Sequence, residues 1–187
     1  MQTVSYTRMA DGTKEDYDIL SAAMEEDTKQ LPNRILKAVE ALKESIGVLQ
    51  VTRNEHSLQS ATHAYRDGKD EAYIVACLVH DIGDELAPYT HGSMVEAIIK
   101  PFVSEEICWV IKYHPLFQLY YYGHHIGVDP NARDRFKDHP YYDACVEFCE
   151  KYDQNCFDPN FESLPLEFFE PMVHRIFGQP PKFIDEA

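Results

Sequence analysis

Basic residues are scarce in this chain: 17 Lys and Arg stand against 32 Asp and Glu among 187 residues, a net charge of −15. Proteins that bind a phosphate backbone rely on clustered cations to displace counterions, so the imbalance argues against nucleic acid as a partner. Long apolar runs are lacking too. No stretch approaches the roughly 18 to 20 uninterrupted apolar residues of a membrane span, and residues 1–18 show no basic segment followed by an apolar one. The expectation is a soluble, unexported, cytoplasmic protein with no membrane partner. The five cysteines are odd in number and include no C-x-x-C pair, which favours reduced core thiols over a redox or zinc role. Neither a G-x-G-x-x-G turn nor a P-loop is present, so no nucleotide site of those kinds is implied. No repeat of 20 to 50 residues and no low-complexity linker divides the chain, so one domain spanning 1–187 is expected, with its core at about 33–177 and a tail at 178–187.

What is present reads as helix. After Pro32, Ile35, Leu36, Val39 and Leu42 recur at three- and four-residue steps, the mark of an amphipathic helix with proline in its first turn. Residues 54–67 form a second segment, with Leu58, Ala61, Ala64 and Tyr65 on one side and Gly68 as its stop. Residues 70–80 are apolar almost throughout, as a central buried helix would be, and the Pro88 region is a loop. Further helices are expected at 92–100, broken by Pro101, and at 104–113, capped by Ser104 and ended by Pro115. Residues 120–140 read as a crossing loop with short helical turns, and helices at 141–152 and 166–177 finish the domain. Few segments alternate with period two, so the fold class is all-α.

Nine histidines in such a chain point to a site. His56, the adjacent pair His80-Asp81, His91, His114 and Asp153 each fall at or near the end of an expected apolar helix, where a core-packed helix can aim a polar head into a central cavity. Imidazoles and carboxylates without thiolates suit iron, manganese or zinc better than copper(I) or an iron–sulfur centre. Consecutive residues at a helix end point about 100° apart, so His80 and Asp81 can address different sides of one cluster, and Asp81 has two oxygens with which to bridge two ions.

On these residues the chain resembles the HD-domain superfamily, all-α metalloproteins named for that His-Asp pair. The string LVHDIGD carries most of the resemblance, with IKYHPLFQ and EKYDQNCFD adding to it, over roughly residues 50–160. The two histidines between the pair and the final Asp make the chain similar to the dinuclear members. That likeness implies a helical bundle in which one metal takes His56, His80, Asp81 and Asp153 and the other Asp81, His91 and His114. The compact size resembles the mixed-valent di-iron oxygenases, myo-inositol oxygenase and the enzymes that cleave hydroxylated aminophosphonates. The resemblance therefore implies two iron ions, Fe(II)/Fe(III), with manganese, cobalt or zinc as alternatives, and dioxygen plus a small molecule as partners.

The likeness also marks departures. Asp84 stands where these oxygenases often place Lys or His, and Gln118 where a Lys commonly holds an anionic or polyol substrate. Phe157 replaces a Lys of the inositol oxygenases, and Ile46 and Leu49 replace a Tyr and a Glu of the carbon–phosphorus-cleaving enzymes. Asp81, Asp84 and Gln118 are thus the candidate catalytic positions, and the missing anion clamp favours a hydroxylated substrate that is neutral or bears an amine or trimethylammonium group, with a phosphonate as a further option. Candidate substrate-binding residues are Gln59 and His63, on the helical face of His56, Tyr120 in the aromatic run 120–122, and Arg133. His63 reads equally as a satisfied core histidine, and the aromatic run as core and loop packing. Arg133 and Arg135 are the cations left for a phosphonate or carboxylate, or they pair with Asp129, Asp134 and Asp138 at the surface. The leading expectation is a di-iron oxygenase. A metal-dependent phosphohydrolase is the alternative, and a non-catalytic metal-stabilised binding protein the third reading.

Overall fold

A computed structural model describes residues 2–44 and 47–183; Ile46 and residues 184–187 of the expected tail lie outside them. The secondary structure is helical, with no strand among the described residues. The helices are α1 (Lys14–Thr28), α2 (Leu31–Ala41), α3 (Arg53–Arg66), α4 (Glu71–Val79), α5 (His91–Ile99), α6 (Glu105–Phe117), α7 (Leu119–Tyr122), α8 (Tyr142–Phe148) and α9 (Leu166–Phe177).

Local chemistry sets the helix starts that matter for the site. The Thr52 hydroxyl accepts from the Glu55 backbone N–H while Glu55 accepts from that of Thr52, a reciprocal cap that starts α3 one turn before His56. Gly68, at φ +72°, ends that helix in a left-handed conformation glycine adopts without strain. Asp70 caps α4 through the Tyr73 N–H and Ser104 caps α6 through that of Ile107. Ile74 to Val79 are all buried, so α4 is the central helix, packed by α2, α3, α6 and α9. The same core takes in Val39, Leu42, Ile99, Ile111, Phe117, Phe148, Phe169 and Val173. All five cysteines are buried and free. No helix of the described residues is long and apolar enough to cross a membrane.

Three expectations need correction. Pro115 does not end its helix, because α6 continues through it to Phe117; the proline lacks only the N–H that would have reached the Ile111 carbonyl, and that carbonyl finds another donor. The 141–152 segment begins as α8 but widens at Cys149–Asp153 into a π-helical turn, marked by the bond from Gln154 N–H to Cys149 O. The tail is docked as far as Lys182, whose N–H donates to Pro101 O and whose ammonium donates to Val103 O. Ordered structure also precedes the buried hydrophobic core, which runs from Ile35 to Phe177. Helix α1 is held by its own cap: Asp16 accepts from the backbones of Thr13 and Ser5, which holds its carboxyl down at about 2. Almost all of its other side chains are exposed, so no apolar stripe announces it.

Candidate metal centre

The site lies where α3, the C-terminal end of α4, the start of α5, the last turns of α6 and the π turn converge. His56, His80 and His114 have no exposed surface, and Asp81 and Asp153 are 2% exposed. His56 Nε2 and His80 Nε2 stand 3.0 Å apart, and His91 Nε2 and His114 Nε2 stand 3.2 Å apart. Asp81 lies between the pairs: Oδ2 is 3.6 and 3.5 Å from His56 and His80, and Oδ1 is 3.6 and 3.5 Å from His91 and His114. Asp153 Oδ1 is 3.5 Å from His56 Nε2, while its buried Oδ2 has no hydrogen-bond partner. The cluster thus forms two donor groups, His56-His80-Asp81 and Asp81-His91-His114.

The outward nitrogens show why the facing ones are lone pairs. His56 Nδ1–H is directed to Cys156 O at 3.0 Å, His80 Nδ1–H to Cys77 O at 2.7 Å and His114 Nδ1–H to Ile111 O at 2.7 Å. His91 Nδ1 lies 3.0 Å from Asp84 Oδ1 as an ion-pair contact. In His56, His80 and His114 the Nδ1 proton is therefore committed to a carbonyl oxygen, which leaves Nε2 as the unprotonated atom of the neutral ring. Two lone pairs at 3.0 Å repel unless an electrophile sits between them. Donors about 2.1 Å from one ion are separated by about 3.0 Å at right angles and about 3.4 Å at a tetrahedral angle, and the observed spacings fall close to these values.

Backbone details produce this geometry. The Ile111 carbonyl that orients His114 is the one Pro115 leaves without an N–H. The Cys77 carbonyl that orients His80 belongs to the last turn of α4, whose carbonyls run out of intrahelical donors. A Cβ on Gly92 would lie 2.7 Å from Lys112 O and 2.9 Å from Ile111 O, so only glycine lets α5 approach α6 closely enough to bring His91 to His114. Gly83 likewise lies against the backbone of His91, where a Cβ would meet its carbonyl at 2.9 Å. The π turn shifts the helical phase just before Asp153, as such bulges often do at functional sites.

Electrostatics agree with a site built for cations. Burial works to raise the Asp81 carboxyl, but the surrounding groups that can carry positive charge, His80, His114, His56 and Arg53, together hold it well below the usual range. Burial, with help from neighbouring imidazoles, pushes His80 down to about 3 and His91 down to about 4. His114 moves the other way: against burial, the nearby carboxylates of Asp81 and Asp153 favour its protonated form and raise it. Burial and Asp81 lift Asp84 to about 6, and burial raises Asp153. Asp81, Asp84 and Asp153 face a single guanidinium, that of Arg53, which donates to Asp81 at 2.8 Å and lies 3.2 Å from Asp84. Buried negative charge in that excess calls for further cations.

Other expected residues are placed as follows. Asp84 is engaged by Arg53 and His91 and acts on His91. Gln118, the C-cap of α6, lines a cavity of about 370 Å³ with His91, Gly92, Pro115 and Tyr122, beside the Asp81-His91-His114 group. Gln59 is not at the cluster; both ends of its amide hold the backbone of Asp158. His63 stacks on Phe161 at 4.4 Å, and burial lowers it. Tyr120 is half exposed and carries the guanidinium of Arg133 over its ring at 3.8 Å. Arg133 is buried, and no ion pair joins it to Asp129, Asp134 or Asp138, so its surface reading falls. Arg53 is the participant the sequence reading passed over. It precedes His56 by three residues on one helical face, and that spacing was its only signal. Phe157, in the place of a family lysine, stacks on His56 at 4.3 Å and closes that side with an apolar ring.

No family model and no curated protein matches the chain. The described residues form an all-helical structure with a buried His/Asp cluster that could hold metal.

Proposed function

We propose that this chain is an HD-type metalloenzyme that holds two ions, iron in the working protein, and uses dioxygen to oxidise or cleave a small hydroxylated substrate. The observation that carries the reading is Asp81, each of whose oxygens faces its own pair of Nε2 atoms. His56, His80, Asp81 and Asp153 would hold one ion, and Asp81, His91 and His114 the other. When bound, iron supplies the redox chemistry that side chains lack. The protein's own part is to fix three of the four imidazoles in one tautomer, to exclude water with Phe157 and Phe148 packed on the histidine rings, and to present a cavity on the His91 side. Gln118 and the Tyr122 hydroxyl offer polar contacts in that cavity. Asp84, already bonded twice, positions His91 and leaves the substrate to these others.

Expression in iron-supplied medium, metal analysis and electron paramagnetic resonance provide the test. About two irons per chain, a coupled Fe(II)/Fe(III) signal and dioxygen uptake with a hydroxyphosphonate or a polyol are expected. A chain that develops no such signal and consumes no dioxygen refutes the oxygenase reading. Manganese- or cobalt-dependent release of phosphate from phosphoesters, indifferent to oxygen, replaces it with a phosphohydrolase on the same ligands.

A further inference from the structure

Arg133 is 9% exposed, and its Nε and Nη1 atoms are buried without a hydrogen-bond partner. Each of the two forks of a guanidinium includes one of these nitrogens, so neither fork is fully satisfied. The chain has ample means to satisfy them, with 32 acidic residues to 17 basic ones. Yet the neighbouring carboxylate, Asp134, is bonded to Lys137 at 2.7 Å and to the Tyr142 hydroxyl at 3.3 Å instead. Elsewhere the same chain pairs arginines side-on with carboxylates, Arg8 with Asp11 and Arg175 with Glu71. Burying a guanidinium while withholding its partner is unfavourable unless an outside group completes it.

The surroundings suit such a visitor. The guanidinium carbon lies 3.8 Å from the centroid of the Tyr120 ring, and Tyr120 is itself half exposed, so the buried charge adjoins a side chain that reaches solvent. Helix α7, which carries Tyr120 and Tyr121, continues directly from the helix that bears His114 and Gln118. The charge of Arg133 is felt at Tyr121, Tyr142 and Cys149, and the Cys149 thiol in turn contacts the His114 carbonyl. We propose that Arg133 is an anion receptor that takes the oxyanion of a small ligand, a phosphonate, phosphate or carboxylate, on its unpaired forks beside Tyr120. The planar fork matches these groups. The inference stands on the environment of Arg133 and does not require the metals to be iron.

The test titrates the full-length protein, as purified, with inorganic phosphate, methylphosphonate and acetate at constant ionic strength. It follows the melting temperature and the side-chain Nε–H resonances of arginine. Saturable stabilisation and a shift of the Arg133 Nε–H signal are expected in the wild type. Arg133→Gln should weaken the response at least tenfold, and Arg135→Gln, a change at the neighbouring arginine, should leave it intact. Should Arg133→Gln fail to fold, Arg133→Lys keeps the charge but loses the fork, and the wild-type resonance shift decides alone. No saturable response to any of the three anions, or a response undiminished in the Arg133 variants, overturns the proposal. Phosphate binding that persists in those variants belongs to another site, such as the His/Asp cluster, and leaves the metal reading untouched.

Discussion

The two halves of the metal centre share Asp81 but are built differently. The His56-His80 half is sealed: both rings are fully buried, their protons go to backbone carbonyls, and Phe157 lies across one of them. The His91-His114 half is open on one side. The His91 side chain is 13% exposed, it borders the 370 Å³ cavity, and its Nδ1 faces a carboxylate, Asp84, that itself pairs with Arg53. Sealed donors suit an ion that stays in place, whereas an open coordination side suits one that exchanges ligands with a substrate. In the functional reading advanced above, the His91 side is therefore where the substrate arrives.

Substitutions separate the halves, and the largest effect should come from the shared residue. Asp81→Asn removes the charge both ions use, and metal analysis should find the content falling from about two ions per chain to near none; retention of two would end the bridging assignment. Gly92→Ala comes next. Its methyl group would press on Lys112 O and Ile111 O, with an expected loss of about 1–3 kcal/mol in a denaturation series and loss of the ion on the His91 side first. Asp84→Ala leaves the ligands in place but frees His91 to rotate. The affinity of that half should drop about 10- to 100-fold in a competition titration while the other half is unchanged, and equal losses in both would dissolve the distinction.

The smallest effect is that of pH. Metal requires the unprotonated imidazole, and folding raises His114 above its ordinary value but lowers His80 to about 3 and His91 to about 4. A proton therefore competes at His114 first as the pH falls. Uptake on the His91-His114 side should weaken by about tenfold per pH unit below the His114 value and release one proton per ion there. Binding that tightens on acidification would contradict this assignment of protons.

Some of this was legible from residue order and some was not. His56, His80, Asp81, His91, His114 and Asp153 could be picked out because helix ends carry them out of apolar segments, and the structure brings all six together. Arg53 could not be given its role, since its bond to Asp81 joins residues 28 apart in the chain and appears only once α3 lies on α4. Asp84 was legible as an acidic neighbour of the pair, but its engagement by His91 depends on how Gly83 lets the turn fold back. The π turn before Asp153 escaped a reading based on a 3.6-residue period, which has no place for one extra residue. Helix α1 escaped it for the opposite reason: with no buried stripe, only the cap of Thr13 and Asp16 marks its start.

Pro115 has a consequence for protein engineering. A proline directly after a histidine, inside a helix, removes one amide and hands the abandoned carbonyl to the histidine ring three residues along. Orientation and tautomer are then specified by two adjacent residues of one helix, with no second element needed to supply the acceptor. Such a His-Pro dipeptide could be transplanted as a self-contained ligand module, provided the host offers a glycine opposite it, as Gly92 does here.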